Sequence, residues 1–122
     1  MDLNKEKMKE LIHYIISKYN DQTNLWRTSL YKILYFSDFD YYELNNKSIT
    51  NEEYSRFERG PVPVHFINLK NELIDENKIS ETEEYPFPRA DNKGFSYRSL
   101  KSPKIELLNT DEKKSLMMLL SV

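Results

Sequence analysis

Cysteine is absent from this 122-residue chain, so there is no disulfide framework, no thiolate zinc site and no thiol nucleophile, and nothing demands an oxidising compartment. Glycine is nearly absent as well. Gly60 and Gly94 stand far apart, and no loop between them presents the consecutive amides that cradle a phosphate, which argues against nucleotide hydrolysis. The two histidines, His13 and His65, match no metal-ligand spacing, and no serine lies in a nucleophile-elbow motif. No apolar run reaches the length of a bilayer span, and the N-terminus leads into charge instead of an apolar signal core, so a cytoplasmic protein away from membranes is expected. Charge of one sign is lacking too. Eighteen basic and twenty acidic residues leave a formal net charge of -2, which gives no global attraction to nucleic acid or anionic lipid.

What is present suits one soluble domain over residues 1–122. The set AVILMFWYC makes up 39% of the chain and charged residues 31%, enough apolar material for one core under a charged surface. A chain of this size buries roughly two thirds of its unfolded surface without metal or disulfide staples.

Met8, Leu11, Ile12, Ile15, Ile16 and Tyr19 fall on one helical stripe, predicting a helix over about 4–19. The polar stretch 20–24 then predicts a turn with a capping side chain. A second, central helix is expected from Leu25 to about Leu44, where Trp26, Leu30, Ile33, Leu34, Tyr41 and Leu44 form one face and Leu25, Tyr35, Phe36 and Phe39 widen it. Residues 53–59 read as a short strand or an extended link. Gly60-Pro61-Val62-Pro63 is non-helical at its start, and Pro63 suits the first turn of a third helix running to about Asn77 and burying Val62, Phe66, Leu69 and Leu73. Segments 85–88 and 95–98 flank a turn-rich stretch and predict a hairpin. Thr110-Asp111-Glu112 opens a last helix with Leu116, Met117, Leu119 and Leu120 on its buried stripe. The order gives an α+β fold, mainly α, of about four helices with a small β-hairpin or sheet.

Several groups invite a chemical reading. Asp38 and Asp40 resemble a paired-carboxylate site, but residues two apart on a helix project about 200° apart. Asp38 suits a structural role instead, bonding a neighbouring tyrosine or a basic residue of the 56–59 segment. Asp38, His65 and Arg59 together would be the candidate set for an enzyme, and no catalytic residue, cofactor or metal is assigned. Tyr85, Phe87, Phe95 and Tyr97 interleave with Arg89, Lys93, Arg98, Lys101 and Lys104, the composition of a single-strand binder. The alternative function is therefore a nucleic-acid-binding accessory protein using the hairpin 85–104; the same composition arises when one hairpin face packs on a core, so nucleic acid is the less favoured partner. Aromatic residues make up 13% of the chain, and tyrosine and arginine are the usual interface anchors. Tyr31, Tyr41, Tyr42, Arg56, Arg59 and His65 are the candidate partner-binding residues.

The run Leu30-Tyr31-Lys32-Ile33-Leu34-Tyr35-Phe36-Ser37-Asp38-Phe39, followed after a linking stretch by Phe57-Glu58-Arg59-Gly60-Pro61-Val62-Pro63, resembles the Panacea domain, also called the SocA-like antitoxin domain. The likeness extends in order from about Leu11 to Leu120, taking in the hairpin and Leu108-Asn109-Thr110-Asp111-Glu112. Arg59 departs from the pattern, which commonly has an aromatic before the Gly-Pro pair. The family often continues beyond the start of the last helix; the end at Val122 is read as a shortened member, a fragment or a helix completed by a partner. The resemblance implies a non-catalytic antitoxin that neutralises a protein toxin encoded nearby, in a phage or mobile-element setting, with a protease as a second partner for members that act as adaptors. It also implies scaffold roles: Gly60 and Pro61 would set the entry to the third helix, and Tyr35 and Asp38 would tie the second helix to it.

Overall fold

The computed structural model describes residues 2–19, 24–85 and 93–120. Helix α1 spans Lys5–Lys18 and starts where Asn4 takes over as cap: its Oδ1 accepts the Lys7 N–H at 3.2 Å, and its own N–H donates to the Thr50 carbonyl at 2.8 Å. The predicted stripe is the buried one, with Met8, Leu11, Ile12, Ile15 and Ile16 at most 1% exposed.

The expected start of the central helix needs correction. Leu25–Trp26 form a short strand, β1, and helix α2 covers Arg27–Asn45. Leu25 is buried, and pairing Leu25 with Tyr97 and Trp26 with Ser96 gives those backbones sheet partners. Trp26 thereby becomes an extended N-cap without a side-chain cap bond; the stretch from Asn20 to Thr23 lies outside the described residues. At the other end Asn46 takes the left-handed conformation at φ 58° and donates to the Tyr42 carbonyl at 2.8 Å.

Of the two readings of the 53–59 segment the strand is found: β2 at Tyr54–Phe57 pairs antiparallel with β3 at Gly60–Pro63. Glu58 and Arg59 form the turn, and Gly60 closes it at φ +118°. A Cβ on Gly60 would meet nothing within 4 Å, so the glycine supplies backbone freedom, not room. Pro63 is held in this strand opposite Tyr54 and does not open a helix. Helix α3 is accordingly shorter than expected, Phe66–Asp75, and Val62 is half-buried in the hairpin. Val64 donates its N–H to the Glu53 carbonyl at 3.0 Å; by strand alternation Pro61 and Pro63 occupy the positions whose N–H would point away from β2. The two prolines cost no ladder bond there and leave that edge without donors.

The second hairpin also begins earlier than expected. Its arms are β4 at Ile79–Glu84 and β5 at Gly94–Ser99, and β5 is central in the order β1-β5-β4. Alternation explains the shift, since Ile79 is in the core and Glu81 is on the same face, paired with the buried Lys70. Helix α4, Thr110–Leu120, opens with a reciprocal cap: Asn109 Oδ1 accepts from the Glu112 N–H at 2.8 Å and Glu112 Oε1 accepts from the Asn109 N–H at 2.9 Å. Glu112, 2% exposed, also binds Lys7, so the inward phase of α4 is set by Glu112 and Leu116. Met117, expected inside, is instead 61% exposed.

The described residues thus form an α+β, mainly α, arrangement of four helices with small antiparallel sheets. One cluster of α1, α2, α3 and sheet residues, including Ile12, Leu34, Phe66 and Tyr97, forms the core. No described helix is long and apolar enough to cross a membrane.

Candidate functional site

Helix α2 carries two opposed chemistries, and the tetrapeptide Tyr35-Phe36-Ser37-Asp38 contributes to both. Leu30, Leu34, Ser37, Asp38 and Tyr41 fall on the buried face. Phe36 and Phe39 fall on the far side, 48% and 41% exposed. Tyr35 lies at the border, stacked on Phe39 with centroids 5.6 Å apart and meeting Phe36 edge-on at 5.6 Å.

On the inner side Asp38 is 4% exposed and accepts four hydrogen bonds. The Ile49 and Thr50 N–H groups each donate to Oδ1 at 3.0 Å, while the Thr50 hydroxyl at 2.7 Å and the Tyr54 hydroxyl at 2.6 Å donate to Oδ2. Burial pushes the Asp38 carboxyl above its ordinary range, and the four donors pull against that rise. Burial and the adjacent carboxylate raise the Tyr54 phenol, which keeps its proton and donates it. The Tyr54 ring meets Tyr35 edge-on at 5.4 Å, so the inner clamp and the outer rings share one aromatic bridge. Asp38 and Tyr35 do tie α2 down, though to the Ile49–Tyr54 link and not directly to α3, and Asp38 bonds a tyrosine but no base of the 56–59 segment.

The link is fastened to α3 by a different acid. Glu52, whose side chain is fully buried, accepts the His65 N–H at 3.0 Å and the His65 ring Nδ1–H at 2.7 Å. Asp38 and His65 therefore serve separate partners, and Arg59 is exposed on the hairpin turn; the trio that would have made an enzyme site is not assembled. Asp38 and Asp40 diverge, Asp38 inward and Asp40 to solvent.

The candidate partner-binding residues divide. Tyr42 is 52% exposed, and Arg56 and Arg59 are exposed. Tyr41 is 2% exposed and belongs to the core, because it lies one helical turn beyond Ser37 and in line with Leu34 on α2. Tyr31 is half-buried, edge-on to Phe66 at 5.0 Å, with its phenol raised by burial. His65 is occupied by Glu52. Phe36 and Phe39, counted as core-widening from sequence, are the rings on the surface. A helical wheel separates them, since both fall opposite Leu30, Leu34 and Tyr41.

Two of the hairpin's described rings, Tyr97 and Phe95, are not displayed for a nucleic acid to stack on. Tyr97 is 1% exposed, and Phe95 is half-buried under the Arg27 guanidinium at 4.0 Å. Tyr85 is exposed, with Lys93 5.8 Å from its ring; Phe87 and Arg89 lie outside the described residues. Arg27 also reaches Glu81 at 3.1 Å, and Glu81 accepts from the Tyr97 hydroxyl at 2.7 Å and pairs with Lys70 at 2.7 Å. Burial would raise Glu81, but Lys70, Tyr97 and Arg27 outweigh it and hold the carboxyl below its usual range. Beside α1 a cleft of about 220 Å³ is lined by mixed charges, among them Lys9, Glu76, Lys78 and Lys104; Lys9 is already paired with Glu72 and Glu76. Among the described residues no group of three or more acids and histidines is arranged to hold a metal ion.

No curated protein and no solved structure matches the chain. A family model does: that of the SocA-like antitoxin, Panacea domain, over residues 30–121. The match runs from within α2 to the end of α4, covering both halves of the α2 motif, the Gly60-Pro61 turn and the reciprocal cap at Asn109, and the chain belongs to the family of SocA-like antitoxins with a Panacea domain.

Proposed function

We propose that the chain acts as an antitoxin by direct, non-catalytic binding of a protein toxin encoded nearby, in the cytoplasm, and that the outer side of α2 is its contact surface. The observation that carries this reading is the placement of Phe36 and Phe39 in solvent on a helix whose inner side is anchored by the Asp38 clamp, with Tyr42 exposed on the flank one turn beyond Asp38. Large rings left in water on a rigid support are what interface hot spots are made from. Beyond their contacts with Tyr35, their display leaves apolar surface in water that the core does not use. Family membership supplies the class of partner, a toxin or other protein.

The test is co-expression with the neighbouring reading frame, followed by pull-down and growth assay. The wild-type chain is expected to be captured with the toxin and to restore growth, while the Phe36→Ser, Phe39→Ser double variant, still folded by circular dichroism, loses both. Absence of a complex with the wild-type chain would overturn the reading, as would full rescue by the double variant.

A further inference from the structure

The outer stripe of α2 has an internal symmetry of its own. Lys32, Phe36, Phe39 and Glu43 are all exposed, and their spacings of four, three and four residues place them within about 60° of one another around the helix. Along the axis they cover about 16 Å. The pairs Phe36 with Phe39 and Lys32 with Glu43 share one midpoint, between Ser37 and Asp38. The stripe therefore reads cation, ring, ring, anion in one direction and anion, ring, ring, cation in the other. Asp40, on the flank, adds negative charge to the Glu43 end. Among the described residues neither Lys32 nor Glu43 forms an ion pair within the chain.

We infer that α2 docks antiparallel against α2 of a second copy of this chain, about a two-fold axis through that midpoint, with each Phe36 on the other copy's Phe39 and each Lys32 beside the other copy's Glu43. Two antiparallel helices bring into register those residues that are equidistant from the axis, so one stripe meets its own complement along its whole length. Spacings of four and three are those at which helix ridges interlock side by side. A parallel partner would set Lys32 on Lys32 and Glu43 on Glu43, which charge repulsion opposes. Antiparallel packing also aligns the two helix dipoles favourably. The charge pattern thus selects a second copy as occupant, in that orientation. The inference rests on the reading of this stripe as a docking surface, and it makes self-association and toxin capture competing uses of the same rings.

The test needs no toxin. Sedimentation of the isolated chain across a concentration series is expected to show a reversible monomer–dimer equilibrium. Lys32→Glu or Glu43→Lys alone turns both symmetry-related ion pairs into repulsions and is expected to weaken the dimer about tenfold or more. The double variant, Lys32→Glu with Glu43→Lys, recreates both pairs with reversed polarity and is expected to restore it. A chain that stays monomeric up to millimolar concentration overturns the inference, and if it still captures toxin through Phe36 and Phe39, the toxin reading stands without it. A dimer that ignores the single reversals, or one the double variant fails to recover, equally overturns it.

Discussion

Asp38 and Glu81 are both inward-facing acids held by several partners, yet the partners differ in kind. Asp38 takes two backbone N–H groups and two hydroxyls, all neutral. Glu81 takes one hydroxyl and two cations, Arg27 and Lys70. The effect on the proton is opposite: Asp38 ends above its ordinary range because burial wins, and Glu81 ends below it because the cations and the Tyr97 hydroxyl win. Depth accounts for much of this, since Asp38 is 4% exposed whereas the side chain of Glu81 keeps 20% of its surface in water. A buried acid can be secured by oriented dipoles alone, provided there are enough of them.

The sharpest way to break the comparison is to remove each acid. Asp38→Ala strands buried donors at Ile49, Thr50 and Tyr54, and is expected to cost about 3–5 kcal/mol in urea unfolding, independently of salt. Glu81→Gln leaves a hydrogen-bonding side chain at a partly wet site, so a smaller loss of about 1–2 kcal/mol is expected, shrinking as salt is raised. Equal losses, or equal salt responses, would show that neutral and charged partners do the same work here.

Acid titration sharpens the contrast further. His13 is lowered mainly by burial, with Lys78 and Lys101 adding to that effect and the Lys101 carbonyl opposing it. The folded chain thus favours the neutral ring, and that stability is lost as pH falls below the ordinary histidine value of 6.5. Glu72, held by Lys5 and Lys9, Glu76, held by Lys9, and Glu81 are all lowered from 4.5, so their contributions are present above that value and are lost below it. Asp38 runs the other way, taking its proton more readily folded than unfolded. Thermal melts are therefore expected to fall in two steps on acidification, with His13→Gln removing the upper one. The smallest effect on stability belongs to the outer rings. Phe36→Ser with Phe39→Ser is expected to move unfolding by no more than about 0.5 kcal/mol per site, and under the proposed function to abolish toxin capture.

The sequence was legible where a single period governed. The α1 stripe, the four helices and the α2 motif could all be read from residue spacing and motif order, and Asp38 as a structural acid followed from its place on the helix. It was illegible where sheet pairing overruled local preference. Leu25 and Trp26 look helical until β5 offers them backbone partners, and Pro63 suits a helix start until Tyr54 pairs with it. Phe36 and Phe39 were misplaced because aromatic character suggested the interior, although their angular position already put them opposite Leu30 and Leu34. Thr50 and Glu52 had no motif to announce them; their roles exist only once the link folds back on α2 and α3.

The paired prolines of β3 have a consequence for how anything can attach beside α2. Pro61 and Pro63 remove the hydrogens through which a further strand would be zipped on at that margin. An incoming strand therefore finds no main-chain donors on the β3 side of this ribbon. Whatever attaches at the β3 margin has to do so through shape and charge, since an extended peptide meets no donor template along that edge.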